Sequence, residues 1–187
     1  MAPLPISDRS DAELVRDAVD GRPEAFNALV RRWERKVYSY LVYLTGRPED
    51  SLDLCQDVFI AAFRHLGRLR DPEGFRPWLF QIAHNTACSE LRRGRGVEVE
   101  VTDQARPAPE VSAFGLGKRS DWQQGELRVL VEKALQALPV EQREAIILKV
   151  YQGFKLSEIA EIQNCPLSTV KTRVYAGFEQ LRKLLEG

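Results

Sequence analysis

The feature that most constrains this chain is a helical apolar period that stops once, at a stretch rich in Pro and Gly, and then resumes. From Arg9 to Arg93 apolar residues recur at helical spacing, and the alternation that marks a half-buried strand is absent. Between Gly94 and Asp121 the period lapses while Gly, Pro, Ala and Ser accumulate. Within that stretch Arg106-Pro107-Ala108-Pro109 cannot sit inside a helix, because each proline removes an amide donor and its ring collides with the preceding turn. A chain of 187 residues has room for two small compact units. The expected fold is therefore all-α: a helical domain over residues 1–93, a flexible linker over 94–121, and a second small helical domain over 122–187.

Punctuation places the helices. A short helix over Asp11–Asp20 is closed by Gly21, and Pro23, at a first-turn position where the missing N–H costs nothing, opens a longer one through Thr45 before Gly46 stops it. Its stripe is Phe26, Leu29, Val30, Trp33, Val37 and Leu41. Pro48 opens a third helix with Leu52, Cys55, Val58, Phe59 and Ala62 expected inward. After the turn at Asp71-Pro72-Glu73-Gly74 a fourth runs from about Phe75 to Arg93, completing a four-helix bundle. Beyond the linker, helices are expected over Gln123–Leu138, Val140–Tyr151, Leu156–Gln163 and Ser168–Glu186.

Several classes of function fall away. Lys plus Arg equals Asp plus Glu at 27 each, so any nucleic-acid surface must be local rather than a property of net charge. Cys55, Cys88 and Cys165 form an odd set without a C-x-x-C pair, which indicates neither a disulfide framework nor a zinc site; they read as small apolar residues. His84 and Cys88 stand four residues apart, yet no further ligand has matching spacing, and neither metal nor cofactor is expected. No hydrolase, zincin or P-loop pattern occurs, so the chain is expected not to be an enzyme. No apolar run is long enough to span a bilayer, and Met1–Asp11 lacks the apolar stretch of a signal peptide; a cytoplasmic location is expected.

Three segments carry binding chemistry. Leu156–Gln163, then Asn164-Cys165-Pro166-Leu167, then Ser168–Arg173 has helix-turn-helix proportions, with Ala160 small where the helices approach. On the last helix Val170, Val174, Gly177, Leu181 and Leu185 share one stripe, and Ser168, Lys171, Thr172, Tyr175 and Glu179 the opposite one. A recognition helix enters the major groove by its N-terminal residues, so the hydroxyl and amino groups of Ser168, Thr169, Lys171 and Thr172 suit base edges and phosphates, with Arg173 beside them. On the third helix outward Asp53, Gln56 and Asp57 alternate with inward apolar groups, a face able to dock on a partner helix. On the fourth, Gln81, His84, Asn85, Cys88 and Arg92 share a stripe opposite Phe75, Leu79, Ile82 and Thr86, with Trp78 at the border. Arg64, Arg68, Arg70, Arg76, Arg92, Arg93 and Arg95 gather charge around it, the mixture of cations, amides and an aromatic that suits single-stranded DNA.

With both halves in view, the chain resembles the extracytoplasmic-function group of the sigma-70 family of RNA polymerase sigma factors. The resemblance rests on Ala25-Phe26 through Val37-Tyr38, on Pro48-Glu49-Asp50 through Asp57-Val58-Phe59, on Phe75-Arg76-Pro77-Trp78 through Leu91-Arg92-Arg93, on Leu138-Pro139 through Arg143 and on Gly153 to Arg173. It covers nearly all of the chain outside the linker. It implies that the first domain is sigma region 2 and the second sigma region 4, and that the protein directs core polymerase to promoters and helps open them. Asp53, Leu54, Gln56, Asp57 and Phe59 would meet core polymerase at the clamp coiled coil of the largest subunit, with further contact to the second-largest subunit. Arg70, Arg76, Trp78, Gln81, His84, Asn85, Ser89, Arg92 and Arg93 would read and melt the -10 element as a single strand. Ser168, Thr169, Lys171, Thr172, Arg173 and Tyr175 would read the -35 element as a duplex. An anti-sigma factor is an implied partner. His84 and Ser89 depart from the Arg and Asp common in the family at those places. A stand-alone helix-turn-helix regulator would leave the docking helix without a role, and an adaptor held by an anti-sigma factor would leave the Ser168–Tyr175 face without one.

Overall fold

The computed structural model describes residues 8–94 and 121–186; residues 95–120 of the expected linker and the first seven residues lie outside the described residues. Local chemistry sets the helix ends. Helix α1 (Asp11–Val19) starts at a capping box: the Glu13 N–H donates to Ser10 Oγ at 3.2 Å, and the Ser10 N–H to the Glu13 carboxylate at 2.7 Å. Prolines at the first turn open α2 (Pro23–Thr45) and α3 (Pro48–His65). Helix α2 stops at Gly46, whose φ of 72° is the left-handed geometry open to a residue without Cβ, and its N–H donates to the Val42 carbonyl. Two single 3₁₀ turns, Leu66–Arg68 and Pro72–Gly74, lead into α4 (Phe75–Gly94). Helix α1 is pinned to α2 by Asp11, which accepts from Arg32 at 2.7 Å and from the Trp33 indole at 3.1 Å.

The second half comprises α5 (Asp121–Gln136), α6 (Val140–Ile146), α7 (Leu156–Ile162) and α8 (Leu167–Glu186). Helix α6 continues as a wider π turn over Ile147–Tyr151, and Gly153, at φ 69°, then turns the chain. Asn164 makes the helix-turn-helix corner at φ 46°, a left-handed position that Asn tolerates better than most residues, and the Cys165 N–H closes it onto the Ala160 carbonyl at 3.0 Å. The first reading helix lacks a hydroxyl cap; the Glu158 carboxylate instead takes the Lys155 N–H at 2.7 Å.

The two halves do not keep separate cores. One continuous cluster runs from Leu29, Val37, Leu41 and Val58 through Phe75, Leu79 and Phe80 to Ile147, Phe154, Ile159, Ile162 and Val170. Phe80 is its hinge: its ring lies 5.4 Å from Tyr40, 6.3 Å from Trp33 and 5.0 Å, edge to face, from Phe154 of the second half. Burying each such ring stabilises by about 1.5–3 kcal/mol. Helix α4 is thus sandwiched, packed on α2 and α3 on one side and on α7 on the other.

Two expected core positions are corrected. Leu52 is 57% exposed, one residue off the inward stripe that Ser51, Leu54, Cys55 and Val58 form, and Leu185, in the last turn of α8, is 47% exposed. All three cysteines are free thiols, and Cys55 is buried. Among the described residues no helix is long and apolar enough to cross a membrane.

Candidate nucleic-acid interface

Helix α3 divides cleanly. Asp53, Gln56 and Asp57 are exposed, continuous with Ile60 and Phe63, which are 48% and 62% exposed. Leu54 and Phe59, which the resemblance adds to the docking set, are only 7% and 8% exposed, Phe59 in keeping with its inward place on the helical wheel: they belong to the core and support the polar face from beneath.

Helix α8 also presents an open face. Ser168, Lys171 and Thr172 are exposed and Thr169 is half-buried, while Tyr175 stands 71% exposed one turn on. Beneath them Val170, Val174 and Gly177 are buried. At Gly177 a Cβ would sit 2.6 Å from Ile146 Cδ1, so α8 lies close against α6 there and a bulky side chain has no room. Arg173 departs from its expected role as a free phosphate ligand. It is half-buried and donates to Gln163 Oε1 at 2.9 Å and to Cys165 Sγ at 3.4 Å, bracing the corner of the helix-turn-helix.

Helix α4 is where the arrangement differs most from the wheel. Arg70, Asn85, Arg92 and Arg93 are exposed, and Ser89 is half-buried with its hydroxyl donating to the Asn85 carbonyl at 2.8 Å. Trp78 is half-buried with its ring 6.0 Å from Phe75. Arg76, Gln81 and His84, by contrast, face the second half. The Arg76 guanidinium donates to the Gln152 carbonyl and lies 4.1 Å over the Phe154 ring. Gln81 donates to the Glu161 carbonyl at 3.2 Å, and His84 Nδ1 is 2.7 Å from Glu144 Oε1.

Glu144 was not among the residues singled out above. It is 1% exposed, and three groups meet its carboxylate: Tyr40 from α2 at 2.5 Å, His84 from α4 at 2.7 Å and Gln163 from the helix-turn-helix at 2.8 Å. Burial and the adjacent carboxylate push the Tyr40 hydroxyl well above its ordinary range. For His84 burial alone would lower the imidazole, but hydrogen bonds to Cys88 and Glu144 and the charge of Glu144 outweigh it and hold it at about 10. The raised pKa favours the charged form of the ring, which donates to Glu144. A second buried ion stands beside it: Arg143, 7% exposed, donates to the Leu44 carbonyl at 2.7 Å, to the Gln136 carbonyl at 2.9 Å and to that of Leu138 at 3.1 Å. Nothing local in the sequence marks Glu144 as buried, since it sits in the charged run Glu141-Gln142-Arg143-Glu144 just before Ala145-Ile146-Ile147-Leu148. Among the described residues no cluster of His, Cys, Asp and Glu could hold a metal ion.

Among the described residues the structure is helical throughout, with a helix-turn-helix in the second half and an open polar face on α3 and an arginine-flanked α4 in the first, a make-up suited to a DNA-binding protein. Comparison with known proteins specifies which. Residues 29–97 match Sigma-70 region 2, and residues 128–181 match Sigma-70, region 4. The chain is 34% identical over 181 residues to the ECF RNA polymerase sigma-E factor of Escherichia coli K12, covering 92% of each chain. It is 32% identical over 179 residues to the ECF RNA polymerase sigma factor SigM of Mycobacterium tuberculosis, covering 95% of this chain and 86% of that one. Its structure is similar to that of the sigma factor RpoE of Bartonella quintana, solved in complex with the anti-sigma factor NepR, with a TM-score of 0.67, 28% identity and coverage of 86% and 96%. The chain belongs to the extracytoplasmic-function group of sigma-70 factors, and its role is in transcription initiation. Sigma factors as a family act by binding rather than by catalysis.

Proposed function

We propose that residues 1–93 dock on core RNA polymerase and read the -10 element, that 122–187 read the -35 element, and that 94–121 join them. The outward face of α3 meets the clamp coiled coil of the largest subunit through Asp53, Gln56 and Asp57, with Leu54 and Phe59 holding the helix beneath. Helix α4 and the turn before it take the separated strand: Arg70, Arg92 and Arg93 bind phosphates, Trp78 offers a stacking surface, and Arg76, Gln81, His84, Asn85 and Ser89 offer hydrogen bonds to bases. Extruding a base from the stack costs a few kcal/mol, so easily unstacked steps are favoured and opening itself contributes to selectivity. Ser168, Thr169, Lys171 and Thr172 meet the duplex, with Tyr175 at the rim and Arg173 bracing the corner. The protein acts in the cytoplasm, where an anti-sigma factor holds it, as NepR is found with the Bartonella factor.

The observation that carries this reading is that the polar face of α3 and the N-terminal face of α8 both stand open over buried apolar residues, one in each matched region. Transcription with purified core polymerase tests it. Asp57→Ala and Gln56→Ala are expected to weaken core binding. Lys171→Ala is expected to reduce discrimination at discrete -35 positions by about 1–3 kcal/mol. Unchanged core affinity together with an unchanged promoter profile would refute the assignment.

A further inference from the structure

The duplex-reading face of α8 offers fewer hydrogen-bond donors than its residue types suggest. Arg173 is turned to Gln163 and Cys165, and Thr169 is half-buried. The Thr172 hydroxyl donates to the Ser168 carbonyl one turn back, at 3.1 Å. That bond spends the donor inside the helix, so what Thr172 still offers a partner is its methyl group and the lone pairs of its oxygen. Ser168 and Lys171 remain, with the Tyr175 hydroxyl at the rim. Among Ser168, Lys171, Thr172 and Tyr175 none carries a planar guanidinium or amide of the kind that grips a guanine or adenine edge with two parallel bonds. Apolar surface fills the remaining room. Leu167, the first residue of α8, is 42% exposed. It lies one turn before Lys171 on the edge of the face nearer Val174, and Thr172 lies on the opposite edge. A recognition helix that enters the groove by its N-terminal turn lays both edges on the bases, and the apolar group the major groove displays is the thymine 5-methyl.

We propose that the chain reads thymine methyl groups in the -35 duplex, with Leu167 and the methyl of Thr172 as the contacts on either side of Lys171. The inference rests on the assignment of α8 given above, to which it adds a residue, Leu167, and a ligand group. Contact takes the thymine methyl and the apolar side chain out of water together, and one buried methyl is worth about fourfold in affinity. Lys171 between them serves guanine, whose O6 and N7 both accept. Recognition of this kind has a chemical signature. Deoxyuridine keeps every hydrogen-bonding group of thymine and lacks only the methyl, so it removes the contact and nothing else.

The test uses holoenzyme assembled from purified core polymerase and the full chain, which first selects its -35 sequence from promoter fragments of random sequence. Each thymine of the selected -35 duplex, on either strand, is then replaced by deoxyuridine, and affinity is measured by fluorescence anisotropy on the labelled fragment. The wild type is expected to lose about fourfold at two thymines. Leu167→Ala is expected to erase the loss at one of them. Thr172→Ser, which keeps the hydroxyl and drops the methyl, is expected to erase the loss at the other, and Thr172→Val, which keeps a methyl and drops the hydroxyl, to retain it. Lys171→Ala should bind more weakly with both losses still in place, so weaker binding by itself does not imitate the result. Deoxyuridine without effect on the wild type, or losses unchanged in Leu167→Ala and Thr172→Ser, overturns the methyl contacts and leaves α8 standing as the duplex reader. A selection that returns no -35 sequence refutes the assignment of α8, and the inference with it.

Discussion

Arg143→Met keeps a side chain of similar length and removes the guanidinium that joins α6 to the ends of two other helices. In the native chain that cation donates to the Leu44 carbonyl in the last turn of α2, to the Gln136 carbonyl at the end of α5 and to the Leu138 carbonyl just beyond it, and also to Gln136 Oε1. Cations are favoured at helix C-termini, where carbonyls lack partners and the backbone dipole is negative. Removing the donor leaves up to three buried carbonyls unpaired, at about 1–3 kcal/mol each. Set against this is the relief of desolvating the cation, which already lowers the Arg143 pKa. The net loss expected is about 3–5 kcal/mol, the range seen when one partner of a buried charged network is removed. At about 2–4 °C per kcal/mol for a chain of this size, the melting temperature falls by roughly 6–20 °C. Urea unfolding followed by far-ultraviolet circular dichroism measures it. Arg143→Lys is expected to recover only part, since an ammonium is a point charge that cannot span three carbonyls. An Arg143→Met chain within about 0.5 kcal/mol of wild type would refute the reasoning.

Two further outcomes are expected. His84, with Glu144, Tyr40 and Cys88 around it, is held at about 10 against an ordinary 6.5, so its contribution to stability is full below about pH 6.5 and is lost as the pH rises through about 10. Urea unfolding of the full chain should therefore show stability falling as the pH rises from 7 towards 10, and His84→Gln should flatten that dependence. Gly177→Leu drives atoms into Ile146, whose Cδ1 lies 2.6 Å from where a Cβ would stand, and is expected to cost about 1–3 kcal/mol in urea unfolding. Gly177→Ala should be near neutral, because the Ile146 end group can yield and alanine gains up to about 1 kcal/mol of helix propensity.

Much of the architecture was legible because its causes are local. Pro23 and Pro48 open helices through a fixed φ and a missing amide, and Gly46 ends one through a backbone angle that needs no Cβ. The amphipathic stripes of α3 and α8 placed Asp53, Gln56 and Asp57 outside, and Val170 and Val174 inside, since each helix has one side covered by the rest of the fold. Helix α4 has two. Its wheel shows which residues turn away from its own bundle, and says nothing of what covers them. Gln81 and His84 therefore read as part of a free polar stripe and Arg76 as a free cation beside it, whereas α6, α7 and the Phe154 turn cover all three.

The sequence by itself determined the helices, their ends and the chemistry each surface carries, because torsional limits and side-chain spacing act over a few residues. Only the tertiary structure decided that Glu144 meets Tyr40 across 104 residues and His84 across 60, and so that one face of α4 is covered by the second half of the chain. The physical reason is that a buried carboxylate must find donors, but its own stretch of chain does not specify which distant helices will supply them.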